Sequence, residues 1–244
     1  MSNSISFVAG MIPDLTKEYD VCVLSSPGEY WNYLERYGNS VKRLEVTMER
    51  HISPIRDLKS LFGLIRVFRK EKPTMVHSMT PKAGLLSMMA AWFCRVPVRV
   101  HTFTGLVFPT ATGLTQKILI LTDRITCACA THIVPEGEGV KNDLINYRIT
   151  KKPLKVLGHG NVRGIDLAHY NPELPEVQAD AAKIRKPGIF TFIFVGRLVR
   201  DKGINELVEA FERLNKEIPA IRLILVGRQE PKLDPLKPET IAKI

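Results

Sequence analysis

Four stretches of the 244-residue chain gather side chains able to hold an anion or move a proton. Phe194-Val195-Gly196-Arg197-Leu198-Val199-Arg200-Asp201-Lys202-Gly203 joins an apolar run to an amphipathic one, the junction at which open α/β sheets bind ligands. Arg197 and Lys202 would flank a helix N-terminus there, and two cations added to the helix dipole suit a diphosphate. The competing account is an ordinary turn carrying solvated basic residues. Val98-Arg99-Val100-His101-Thr102-Phe103-Thr104-Gly105 sets His101 at another strand end, and histidine is the side chain best fitted to act as a base near neutrality. A single histidine serves as readily in a structural hydrogen bond. His77-Ser78-Met79-Thr80-Pro81-Lys82-Ala83-Gly84 repeats the theme, although Thr80 as N-cap and Pro81 at the first helical position need no ligand to explain them. Gly158-His159-Gly160-Asn161-Val162-Arg163-Gly164 would let backbone N–H groups approach a phosphate, but its spacing is not that of the dinucleotide fingerprint. Pro172 also follows too soon for the long helix of that motif. The stretch reads as a turn or an interdomain hinge, and a nicotinamide-dependent oxidoreductase is the reading it leaves open.

These residues need a scaffold, and short β-branched runs alternating with helix-period segments supply one: parallel βαβ units in an α/β protein. Strands are expected at Tyr19 to Ser25, Val41 to Val46, Thr74 to His77, Val98 to Phe103, Thr131 to Val134 and Leu154 to Leu157. The clearest helix runs from Ile55 to Lys72, where Ile55, Leu58, Phe62 and Ile65 recur at helical spacing between Ser53-Pro54 and Lys72-Pro73. Its Arg56, Lys59, Arg66, Arg69 and Lys70 make either a solvated face or one that rests on an anionic membrane. Past a proline-bearing stretch at Asn171 to Pro175, a strand (Ile189 to Val195), a helix (Gly203 to Ile218) and a strand (Ile221 to Val226) form one further crossover. The tail from Gln229, with Pro231, Pro235 and Pro238, is not expected to pack as a long regular element. An N-terminal domain over 1–170 and the beginning of a second over 171–244 are the resulting organisation.

Lys+Arg 35 against Asp+Glu 25 leaves a net charge of +10, so an anionic partner is expected. No zinc spacing, aromatic RNA-binding signature or helix-turn-helix pattern accompanies that charge, which argues against nucleic acid. Cys22, Cys94, Cys127 and Cys129 lie in apolar stretches without metal-ligand spacing, so a reducing, cytoplasmic setting and no metal are expected. The longest nearly apolar stretch, Gly84 to Cys94, is too short to span a bilayer.

Taken in order, Tyr19-Asp20-Val21, Ser25-Ser26-Pro27-Gly28, Met48 to Pro54 with Asp57-Leu58, Lys72-Pro73 with Val76-His77-Ser78, Thr80-Pro81-Lys82-Ala83-Gly84, Thr110-Ala111-Thr112-Gly113, Gly164-Ile165-Asp166-Leu167, and Gly196-Arg197-Leu198 with Asp201-Lys202-Gly203 resemble the bacterial glycosyltransferases of family four. The branch is the one that builds capsular and O-antigen polysaccharide, and the resemblance covers nearly the whole chain. It implies the GT-B fold: a Rossmann-like N-terminal domain for the acceptor, a second for a nucleotide-sugar, and an active site between them. It further implies that Gly196, Arg197 and Lys202 bind the donor diphosphate, that Gly10, His77, Thr80 and Lys82 serve the acceptor, and that His101 or Thr104 stands at the catalytic position. The implied co-substrate is a nucleotide-sugar such as a UDP-sugar, with no further cofactor. The implied acceptor is a lipid-diphosphate-linked saccharide, and the implied location is peripheral, at the anionic inner membrane face. A retaining transfer is the family's usual outcome.

Four departures qualify the resemblance. The family's His-Ser-His reads His77-Ser78-Met79 here, and its Val-His-Gly histidine aligns with Thr104, three residues after His101. The family's first strand, ahead of the segment matching Ile5 to Gly10, and its paired-glutamate motif have no counterpart. A weakly active or non-catalytic remnant that binds acceptor lipid or a partner protein is therefore the alternative reading.

Overall fold

The computed structural model describes residues 5–48, 53–162, 164–231 and 234–244, and the chain divides into two compact units, Met1–Ile165 and Asp166–Ile244. In the first unit two short helices, α1 (Ile5–Ala9) and α2 (Ile12–Leu15), lead into strand β1 (Val21–Ser25). A kinked 3₁₀ stretch, Glu29–Ser40, returns the chain to β2 (Val41–Glu45), which pairs with β1 in parallel register, Val21 opposite Val41. Helix α3 (Pro54–Glu71) crosses to β3 (Met75–Ser78), α4 (Pro81–Phe93) to β4 (Val98–Phe103), and α5 (Gly113–Cys129) to β5 (His132–Pro135). These last three strands form a parallel sheet in the order β3-β4-β5, and α6 (Glu138–Asn146) follows. Every described pairing is parallel, as the alternating sequence requires. The strand expected at Leu154 to Leu157 shrinks to one bridge, Leu154 to Ile133.

Helix α4 explains its own composition. It packs between α3 and α5 with the sheet beneath it, and Gly84, Leu86, Ser87, Met88, Ala90 and Ala91 are all buried, so it is apolar all round. The residue at its N-cap position, Thr80, is extended, but its hydroxyl makes no capping bond. In α3 the buried line is Ser60, Leu64 and Phe68, spaced by four. The stripe expected from sequence is displaced: Ile55, Leu58 and Phe62 are 74%, 53% and 61% exposed, while its fourth member, Ile65, packs against the core. Lys72 ends α3 in a left-handed conformation (φ 48°) before Pro73, which cannot continue the helix. Lys152 clamps the end of α5 by donating from Nζ to the carbonyls of Cys127, Ala128 and Ala130.

The second unit holds α7 (Pro175–Ile184), β6 (Phe190–Val195), α8 (Ile204–Glu217), β7 (Ile221–Val226) and α9 (Pro238–Ile241). β6 and β7 make a parallel pair in full register, from Phe190 opposite Ile221 to Val195 opposite Val226. α8 buries Ile204 and Val208 against Leu198 and Leu236, so the proline-bearing tail packs through Leu236 while forming only the one-turn α9.

Candidate functional site

In the first unit the candidate residues collect at the C-terminal ends of β3 and β4, which the ladder sets side by side with Ser78 opposite His101. His101 is 2% exposed. Its Nδ1 lies 2.8 Å from the Ser78 hydroxyl, and its ring meets Phe103 edge-on with centroids 4.5 Å apart. The helix behind it is cut to fit: a Cβ on Gly84 would overlap the His101 ring. Burial, helped by the neighbouring His77, drives the His101 pKa down to about 4, so the ring is neutral near pH 7. The sequence places His101 among the catalytic candidates; the structure turns its ring into the core.

His77 is the imidazole that reaches the surface. Its Nε2 lies 2.8 Å from the Thr102 hydroxyl, and the residue is exposed. Partial loss of water at the ring lowers its pKa too. Thr104, one residue past β4, donates its hydroxyl to the Met79 carbonyl at 3.1 Å. Thr80 is half-buried beside these groups, whereas Gly10 is exposed in the turn after α1. Lys82 lies 2.5 Å from Asp57, whose other oxygen accepts the Ser53 N–H at the start of α3 at 3.1 Å. The ammonium thus ties the first turns of α3 and α4 together.

Sequence reasoning missed Glu136, which continues this row at the end of β5. Its N–H donates to the Phe103 carbonyl at 3.0 Å, and partial burial raises its carboxyl pKa. The signal was its place at a strand end before the Gly137 turn. The glycine loop packs here as well, since a Cβ on Gly160 would press into the Glu136 carbonyl and the Asn161 N–H donates to that carbonyl at 2.5 Å. Gly158, Gly160 and Asn161 all have positive φ, a turn's geometry, and among the described residues no helix follows until Pro175.

In the second unit Gly196, Arg197 and Lys202 fall between the end of β6 and the start of α8. A Cβ on Gly227, after β7, would fall on the Gly196 carbonyl, so the two strand ends can meet only because residue 227 is glycine. Arg197 is held by Glu230, Nη1 to Oε2 at 2.7 Å. Lys202 is exposed in a 3₁₀ turn, Arg200–Lys202, and left-handed Gly203 (φ 73°) leads that turn into α8. Asp234 braces the turn: it accepts the Asp201 N–H at 2.9 Å and stands 3.3 Å from Arg200. Glu230, Asp234 and Gly227 were not foreseen. The echo of Val195-Gly196-Arg197 in Val226-Gly227-Arg228, each closing a strand, was the available cue.

The arrangement in each unit is one of polar groups at the carboxyl ends of parallel strands, and sequence families with that architecture match it. The family model described as "Glycosyl transferase 4-like domain" matches residues 8–160, more than half of the chain. The chain belongs to the glycosyl transferase 4-like family. A second model, "Glycosyl transferases group 1", matches residues 177–242. The chain is 34% identical over 232 residues to the capsular polysaccharide biosynthesis glycosyltransferase CapM of Staphylococcus aureus, covering 94% of this chain and 60% of that protein. It is 29% identical over 220 residues to the UDP-Gal:alpha-D-GlcNAc-diphosphoundecaprenol alpha-1,3-galactosyltransferase of Escherichia coli, covering 88% of this chain and 55% of that protein. The chain thus spans a little over half the length of these relatives. Among solved structures it is similar to a glycosyltransferase from Rickettsia africae (TM-score 0.67, 18% identity, 99% of this chain and 59% of that one). It is likewise similar to the UDP-GlcNAc 2-epimerase of Neisseria meningitidis bound to UDP-GlcNAc (TM-score 0.64, 18% identity, 96% and 66%). These likenesses bear out the α/β, GT-B-type expectation. No described helix is long and apolar enough to cross a membrane.

Proposed function

We propose that this chain carries the acceptor side and part of the donor side of a glycosyltransferase that moves a sugar from a nucleotide diphosphate, such as a UDP-sugar, to a lipid-diphosphate-linked saccharide in surface polysaccharide synthesis. In this reading residues 1–170 hold the acceptor and 171–244 begin the donor domain. The observation that carries it is the Gly196–Gly227 junction, where two backbones meet and Arg197 stands fixed by Glu230 above the turn that opens α8. Fixed cations and helix N–H groups at that place suit a diphosphate and would neutralise the departing nucleotide. The relatives' names, one a UDP-galactose enzyme acting on a diphosphoundecaprenol-linked sugar, support the substrate classes. Retention at the sugar carbon is carried over from the family resemblance alone.

On the acceptor side, His77 with Thr102, Thr80 and Thr104 supplies the hydrogen-bonding groups, and buried His101 acts by holding Ser78 and α4 in place. The outward face of α3, with Ile55, Leu58 and Phe62 followed by Arg66 and Arg69, supports contact with an anionic inner membrane surface, as a peripheral enzyme on lipid-borne substrate requires. Calorimetric titration of the chain with UDP tests the donor assignment. Measurable binding that Arg197→Ala weakens at least tenfold is expected, and equal binding by the variant would remove Arg197 from the site. A chain that binds lipid-linked acceptor yet transfers no sugar when the donor domain is supplied in full length would favour the non-catalytic reading.

A further inference from the structure

The connection from β6 to α8 carries three cations, Arg197, Arg200 and Lys202, and the donor assignment leaves Arg200 without a role. Its Nε stands 3.3 Å from Oδ1 of Asp234, whose side chain is 11% exposed while that of Arg200 is 68% exposed. The carboxylate therefore lies beneath and the guanidinium outermost. Oδ1 is buried and makes no hydrogen bond among the described residues, so the Arg200 guanidinium is what offsets its charge. Oδ2 accepts the Asp201 N–H at 2.9 Å, so one carboxylate fixes the backbone of the turn and the side chain just before it. Asp234 is itself anchored from below. Leu236 packs with Leu198, Ile204 and Val208, and the Lys237 N–H donates to Oδ1 of buried Asn205 on α8 at 3.0 Å. Arg197 follows the same plan, with its Nη1 on Glu230, the more buried partner. The pair Arg213–Glu209 on α8 differs, being exposed at both ends.

We infer that Arg200 is a further phosphate-binding residue of the donor site, and that Asp234 is the positioning residue that presents it. This role rests on the donor assignment of Arg197 and adds a second guanidinium to it. Among the described residues Arg200 is held through Nε alone. Both of its Nη groups, the fork that matches two oxygens of one phosphate, are left for a ligand. Stability does not account for the arrangement, since an ion pair to an exposed arginine contributes little. Binding does account for it. A long side chain already tethered in place loses less freedom when an anion arrives, and the carboxylate that tethers it sits behind the guanidinium rather than in front of it. Two arginines on one strand-to-helix connection, each underpinned by its own acid from the chain after β7, suit the successive phosphates of a nucleoside diphosphate.

The test is calorimetric titration of the 244-residue chain and its variants with UDP, with urea unfolding to confirm that each variant is folded. Arg200→Ala should weaken UDP binding at least fivefold. Arg200→Lys keeps the charge without the fork and should recover only part of that loss; full recovery would overturn the fork contact. Arg213→Ala removes an exposed cation elsewhere on the same unit and should leave binding unchanged, and an equal loss there would reduce the effect to net charge and overturn the assignment. Asp234→Asn keeps an acceptor for the Asp201 N–H and removes the charge that holds Arg200. It should weaken binding at least threefold in the parent and add nothing once Arg200 is alanine, a dependence that a merely structural aspartate does not show. Independent losses in the double variant would overturn the positioning role. Parent-like binding by Arg200→Ala beside weakened binding by Arg197→Ala would overturn the role of Arg200 and leave the donor assignment intact. No binding by the parent, or parent-like binding by both arginine variants, would end the donor assignment and the role of Arg200 with it.

Discussion

Replacing Asp123 by asparagine should make the first unit sensitive to acid, although it removes a charge that itself titrates in that range. Asp123 lies on α5 at 9% exposure, and burial lifts its pKa from 3.8 to about 6. His101 is shifted the opposite way, from 6.5 to about 4, by burial and then by His77. As pH falls below 6.5 the unfolded chain protonates its imidazole while folded His101 stays neutral, so His101 costs stability down to about pH 4. Folded Asp123 takes up its proton near pH 6 and the unfolded carboxyl only near 3.8, so Asp123 adds stability over almost the same interval. At about 1.36 kcal/mol per pH unit each contribution approaches roughly 3 kcal/mol, and in the parent protein the two nearly cancel. Asp123→Asn should therefore lose up to about 3 kcal/mol more than the parent between pH 6.5 and 4, and His101→Gln should gain a similar amount relative to it. Contributions from groups that act on neither side chain, Glu136 among them, are common to all three proteins and drop out of the differences, whereas His77, which acts on His101, is left unchanged only in the Asp123→Asn comparison. The assay is urea unfolding at half-unit pH steps, read by the emission of Trp31 and Trp92, which both belong to the unit that holds the two titrating groups. Parallel stability curves for parent and Asp123→Asn through pH 4 to 6 would refute the reasoning.

Three further outcomes are expected. Gly84→Ala should cost about 1–3 kcal/mol in urea unfolding through overpacking against His101, and an unchanged midpoint would count against that contact. Gly227→Ala should splay the ends of β6 and β7 and weaken UDP binding in calorimetry by tenfold or more while leaving the first unit's unfolding untouched. Phe62→Ser with Leu58→Ser, both on the exposed face of α3, should reduce sedimentation with vesicles rich in anionic lipid at least fivefold without loss of stability; equal sedimentation would take α3 out of any membrane contact.

The scaffold was legible where the signal was local. Alternation placed β4 at Val98 to Phe103 to the residue and α8 to within a residue at either end, because apolar period and flanking breakers determine such elements. What needed tertiary knowledge was not legible. The stripe Ile55, Leu58, Phe62 has helical period, yet α3 buries Ser60, Leu64 and Phe68 instead, and periodicity alone does not say which of two apolar faces meets a neighbour. The candidate site divides in the same way. Residue types at strand ends pointed to His77, His101 and Arg197, but a buried and an exposed histidine look alike in sequence, and Glu230 becomes visible only when β6 and β7 bring it 2.7 Å from Arg197. Leu154 to Leu157 meets the edge of β5 only at the Leu154–Ile133 bridge, and aliphatic composition alone does not say how far a segment follows its partner.

The contact between Gly84 and the His101 ring also constrains how this part of the molecule can change over generations. A larger residue at 84 is harmful while the imidazole is present, and a smaller one at 101 leaves a hole while the glycine is present. Neither position can drift by itself, so variation at the two should arrive as a pair: any lineage that trades the buried histidine for a slighter side chain gains room for an alanine on α4, and mutational paths in which the alanine comes first should be closed.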